Sequence, residues 1–74
     1  MDITDEELLT DIEFTEKEAD AYYNIATGFM VLSGLPENAG ESIYFDNARK
    51  FYAKEKDCKA FLDFLLKLKA KRGL

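Results

Sequence analysis

The sequence predicts an all-α protein, a compact bundle of four helices with the first one short and a helical hairpin at its core. Three observations predict it. No segment sustains a two-residue apolar–polar alternation. Apolar residues return every three or four positions through most of the 74 residues. The residue types that start and stop helices stand where that periodicity begins and ends.

The elements follow in order. Thr4 with Glu7 has the spacing of a capping box, and Ile3 and Leu8 flank it as a hydrophobic staple, which predicts a short helix over 5–12. Thr15 with Glu18 repeats the signature, Phe14 and Ala19 supply the staple, and a second helix is predicted over 16–33. Gly34 is placed to end it in a left-handed conformation, with Leu35 folding back on the last turn and Pro36 unable to continue the helix. The third helix starts either at Pro36 or after an Asn38 cap with Glu41, and Gly40 favours the later start; it runs to residue 54. Asp57 then caps a last helix over 58–72, closed by Gly73.

Projected at 100° per residue, Tyr44, Phe45, Ala48, Phe51 and Tyr52 make one apolar stripe opposite Asp46, Lys50 and Lys54, as expected of a surface helix. Phe61, Leu62, Phe64, Leu65, Leu66 and Leu68 instead spread over roughly 200°, wider than one neighbour needs. Either the last helix is wedged between two others, or its flank at Leu62 and Leu66 meets another chain. The second helix is also broad, and its remaining face carries Ala21, Asn24 and Gly28, small enough for close backbone approach.

Composition bounds the function. Hydrophobic residues make up 47% of the chain and ten residues are aromatic, which is globular composition; the length allows one domain, 1–74. No His, no Trp and a single Cys exclude most catalytic and metal-binding constellations. Cys58 has no His to activate it and falls within the apolar arc of its helix, so it reads as a small buried side chain. The acidic run from Asp11 to Asp20 lacks the central Gly and ligand spacing of a calcium loop, and the segment between Gly34 and Gly40 lacks the end of a phosphate loop. Neither a cofactor nor a metal is expected, and the chain reads as non-enzymatic. One Cys allows no internal disulfide, and no stretch is apolar enough for a membrane span, which points to a cytoplasmic protein.

Charge is the strongest compositional signal. Residues 1–46 hold twelve carboxylates against Lys17, and residues 47–74 hold nine Lys or Arg against Glu55, Asp57 and Asp63. Acidic first turns suit the helix dipole, but nine carboxylates within the first 20 residues exceed what capping requires. Asp5, Glu6, Glu7, Asp11, Glu13, Glu16 and Asp20 are therefore read as a contact face for a basic protein partner, one that handles nucleic acid being a fitting kind. Small inhibitors from phages and other mobile elements share this build, and regulation by occlusion is the mechanism it suggests. Two alternatives stand beside it. One is a homo-oligomeric structural or adaptor protein joined through Leu62 and Leu66. The other is nucleic-acid binding by a stripe of Lys50, Lys54, Lys59, Lys67 and Lys71, against which the net charge of −5 counts. The acidic and basic thirds also have the option of meeting within one fold.

Ala21 to Phe29, followed by Gly34, Ala39, Tyr44 and Ala48, resembles the helix pair of a tetratricopeptide repeat, with Tyr22 and Ile25 at large positions and Ala26 at the small one. The resemblance covers under half of the chain. Its later matches need insertions, and Gly40 and the missing terminal Pro depart from the pattern.

Overall fold

The computed structural model describes residues 2–74 and contains two long helices, α1 (Asp5–Ser33) and α2 (Ile43–Lys71), joined by a turn with one 3-10 segment, Pro36–Asn38. They pack antiparallel as a hairpin 52 Å long and about 15 Å across. The expected four-helix bundle is therefore corrected to a two-helix hairpin. All-helical structure is what the periodicity predicted, but the four expected helices fuse in pairs.

The reason is local. No Gly or Pro stands between Thr4 and Gly28 or between Gly40 and Gly73, so nothing forces the backbone out of helical geometry at Thr15 or Asp57. A capping signature inside such a stretch competes with continuous helix and loses when the same residue serves packing. Thr15 is 5% exposed and faces α2; ending the helix there would pull Leu8 and Ile12 off Leu65.

The buried and half-buried positions explain the pairing. In α1 they include Leu8, Ile12, Thr15, Ala19, Tyr22, Ala26, Phe29 and Ser33; in α2 and its C-cap, Tyr44, Ala48, Phe51, Glu55, Cys58, Leu62, Leu65, Lys69 and Arg72. Both series advance by alternating steps of four and three. That average of 3.5 residues is the seam of a coiled coil, in which two slightly underwound helices keep one narrow face together. Register is fixed by contacts along the whole length: the rings of Tyr23 and Tyr52 meet at 6.1 Å, Phe29 stacks on Phe51 at 5.9 Å, and Arg72 donates to the Ile3 carbonyl at 2.7 Å.

The ends are capped much as expected at the outer termini. Thr4 Oγ1 accepts from the Glu7 backbone N–H at 3.1 Å and donates to the Glu7 carboxylate, while Ile3 packs on the Leu8 cluster. Gly73 takes a left-handed φ of 76°, and Leu74 and Gly73 donate to the Lys69 and Ala70 carbonyls in a Schellman arrangement. The turn differs from expectation. Gly34 stays right-handed at φ −85°, and α1 stops because Leu35 is extended ahead of Pro36. Asn38 caps α1, not α2: its side-chain amide donates to the Leu32 carbonyl at 2.8 Å. Gly40 makes the reversal at φ 88°, and α2 begins after Ser42 with no side-chain cap.

Candidate interaction surface

Two helices with one seam leave two flanks and two backs in solvent. Among the described residues the core reduces to Leu8, Ile12, Thr15, Ala19, Ala26, Ala48 and Leu65, while thirteen large apolar side chains are exposed. They fall mostly on the flanks. On the flank marked by the Tyr23–Tyr52 contact stand Leu9, Tyr23 and Met30 of α1 with Phe45 and Leu66 of α2. The register places Leu9 level with Leu66, Glu16 with Lys59, Tyr23 with Tyr52 and Met30 with Phe45. The opposite flank, where the Lys54 ammonium sits 5.7 Å over the Tyr22 ring, carries Phe14, Ile25, Leu32, Ile43, Phe61 and Phe64. Phe61 and Phe64 stack on each other there with centroids 6.3 Å apart.

The seven carboxylates expected to form one contact face are divided by the fold. Glu6, Glu13, Glu16 and Asp20 border the Tyr23 flank; Glu7 and Asp11 border the Phe61 flank together with Glu18. Asp5 is drawn to the open end, where its carboxylate meets Arg72 at 3.1 Å. Glu13 is paired with Lys17 at 3.1 Å. The lysine stripe is divided as well. Lys50, Lys54 and Lys71 lie toward the Phe61 flank, Lys59 lies on the other beside Glu55 at 3.0 Å, and Lys67 points to the back of α2, paired with Asp63 at 2.9 Å. Leu62 and Leu66 part company too: Leu62 packs against the core cluster in the seam, and Leu66 is 41% exposed on the flank with Leu9.

The opposite charges of the two chain ends do meet within one molecule. Helix α1 has eight carboxylates and one lysine, a net of −7, and α2 has eight cations and four carboxylates, a net of +4, lying alongside. Among the described residues only Arg72–Asp5 bridges the helices directly; the other three ion pairs are one turn apart on a single helix. The attraction is mostly a long-range one between parallel charged rods, and Glu6, Asp11, Glu16 and Asp20 keep their carboxylates available.

Cys58 lies in the seam, half-buried, at the level of Glu18 and Ala19. Burial pushes its thiol above the usual range, the carboxylates of Glu18 and Asp57 push it further, and Lys54 opposes them. Together these effects disfavour the thiolate, and the side chain is half-buried where the sequence suggested a buried one. The best-formed depression, of about 180 Å³ and lined by Thr10, Glu13, Phe14 and Lys17, is open and smaller than the ~300–1,000 Å³ of small-molecule sites. Among the described residues no three of His, Cys, Asp and Glu converge as metal ligands, and no helix is long and apolar enough to cross a membrane.

Sequence reasoning missed the seam and the Tyr23 flank. The signal was present: Leu9, Tyr23 and Met30, and Phe45, Tyr52 and Leu66, recur at multiples of seven, with Glu16 and Lys59 filling the missing places. Comparisons with protein-family models, with curated proteins and with solved structures found no match. Helices of 29 residues are also too long for the tetratricopeptide pattern, whose whole helix pair occupies about 34 residues.

Proposed function

We propose that the chain is a small non-enzymatic protein-interaction module, a regulator that acts by occupying the surface of a basic protein partner. The observation that carries this reading is the Phe61 flank of the hairpin. It presents exposed Phe14, Phe61 and Phe64 beside the carboxylates of Glu7, Asp11 and Glu18. Aromatic anchors ringed by charge are the composition of an interface centre and its rim. The anchors supply buried area, and the carboxylates steer a cationic surface toward them and disfavour an anionic one. Inhibition by occlusion fits a rod with two long flanks of exposed side chains to offer. A cytoplasmic setting belongs to the same reading and rests on the single thiol.

The test is capture of partners by the tagged full chain after nuclease treatment, with cross-linked proteins identified by mass spectrometry. Capture is compared for the native chain and for a variant carrying Glu7→Lys, Asp11→Lys and Phe14→Ala, all at exposed positions, with helicity checked by circular dichroism. A basic protein held at low salt, released at high salt and lost with the variant supports the reading. The same capture profile for both chains overturns it, and nuclease-sensitive capture that survives the variant transfers the function to nucleic acid.

A further inference from the structure

The geometry points to a second copy of this chain as the occupant of the other flank, the one formed by Leu9, Tyr23, Met30, Phe45 and Leu66, with both turns at the same end of the dimer. This goes beyond the proposed partner, which uses the Phe61 flank, and either claim stands without the other.

Area is the first argument. A compact monomer of 8.5 kDa exposes about 4,700 Å² by the usual scaling with mass, whereas the hairpin exposes 5481 Å². The excess of about 800 Å² equals what one partner buries in a standard stable interface. It is exposed because a rod with one seam cannot fold its flanks inward, and a second rod laid on a flank removes it.

Continuity selects the flank. The Phe61 side is interrupted by Glu18, Lys54 and Asp57, whereas the Tyr23 side is apolar at three of its four levels. Its remaining level holds Glu16 on α1 and Lys59 on α2, which are opposite in sign.

Charge selects the orientation. The flank is bordered by a helix of net −7 on one edge and one of net +4 on the other. A two-fold axis running along the hairpin lays each α1 over the partner copy's α2 and keeps every level in register. Leu9 then meets Leu66, Glu16 meets Lys59, Asp20 comes near Lys56, and Tyr23, Tyr52, Met30 and Phe45 close the turn end. The one like-charged level brings Glu13 toward Asp63, and there each carboxylate already carries its own lysine, Lys17 or Lys67. A two-fold axis across the hairpin would instead lay each α1 reversed on the partner copy's α1, setting Glu16 over the apolar Tyr23 level and leaving the carboxylates of the open end on the uncharged 21–33 half with no cation opposite them.

Sedimentation equilibrium of the full chain over a concentration series tests association, and disulfide trapping tests orientation. The expected species is a dimer of the 8.5 kDa chain. Leu66→Glu and Met30→Glu, at positions 41% and 38% exposed, should each weaken the dimer at least about tenfold. Phe61→Glu on the opposite flank should leave it unchanged. In a Cys58→Ser background, Glu41→Cys in the turn should oxidise rapidly to a covalent dimer. A monomer at several hundred micromolar overturns the proposal, as does a dimer disrupted by Phe61→Glu but not by Leu66→Glu. A dimer whose Glu41→Cys chain cross-links to an Asp2→Cys chain and not to itself overturns the shared-end orientation.

Discussion

The two halves of the hairpin are built on opposite solutions to the same packing problem. At the open end, residues 2–20 and 54–74 hold twenty of the 25 charged residues, and the seam there is filled by Leu8, Ile12 and Leu65. At the turn end, residues 21–53 hold only five charges, and the seam is Ala26 and Ala48, both at 0% exposure, bracketed by the rings of Tyr22, Phe29 and Phe51. Large aliphatic side chains keep two helices apart and fill the gap. Alanines at 26 and 48 leave room in the seam for the rings of Tyr22, Phe29 and Phe51, while Tyr23, Ile25, Met30, Val31, Leu32, Ile43 and Phe45 lie off the seam and are all exposed. Both ends offer apolar surface, but at the open end Leu9, Phe14, Phe61, Phe64 and Leu66 stand among dense charge, whereas at the turn end the exposed apolar side chains have few charged neighbours.

That contrast is most sharply broken by removing volume where the open end depends on it. Leu65 is 3% exposed between Leu8 and Ile12, and Leu65→Ala should cost about 2–5 kcal/mol. For a hairpin with seven buried residues this is most of the total stability, so the variant should be largely unfolded by far-ultraviolet circular dichroism at room temperature. A melt displaced by only a degree or two would mean that the Leu cluster does not hold the open end. The converse change belongs at the turn. Ala48→Leu inserts three carbons where the helices touch and should cost about 1–3 kcal/mol by denaturant titration, through overpacking. If Ala48→Leu is neutral, the helices are free to separate at the turn and the two halves do not differ as their side chains imply. Melts must be compared at one protein concentration, because self-association would make each midpoint depend on it.

These same residues explain what was legible in the sequence. Outer caps were readable because Thr4, Glu7 and Gly73 act within one turn of backbone, where nothing distant competes. The internal capping signature at Thr15 misled because its meaning depends on whether the chain breaks, and that is decided by Leu8 and Ile12 needing Leu65 some fifty residues away. The seam itself was hard to see because its occupants are often not apolar. Thr15, Ser33, Glu55, Lys69 and Arg72 hold seam positions, and Glu55 keeps its carboxylate there, 13% exposed, only by reaching Lys59. A hydrophobic projection gives such residues to the outside and widens the apparent apolar arc, so two narrow seams with sticky flanks were read as four helices in a bundle. The acidic contact face failed to assemble for a related reason. Asp5, Glu6 and Glu7 are neighbours in sequence, and on a helix neighbours point 100° apart.

The smallest effect separates two kinds of small residue at the turn end. Ala26 is small because α2 lies against it, whereas a methyl group built on Gly28 would meet nothing within 4 Å. Gly28 therefore costs helix stability without gaining a contact inside the hairpin, since an interior glycine loses more backbone freedom on folding than alanine does. Gly28→Ala should stabilise the fold by about 0.5–1 kcal/mol and raise the melting midpoint by a few degrees. Ala26→Gly, within the same helical turn, should do the reverse, by a larger margin, because it also empties a contact. Equal and opposite shifts from the two changes would reduce both to backbone propensity and leave Ala26 without a packing role. A larger loss at Ala26 than gain at Gly28 measures what the close approach of the two helices contributes at the turn.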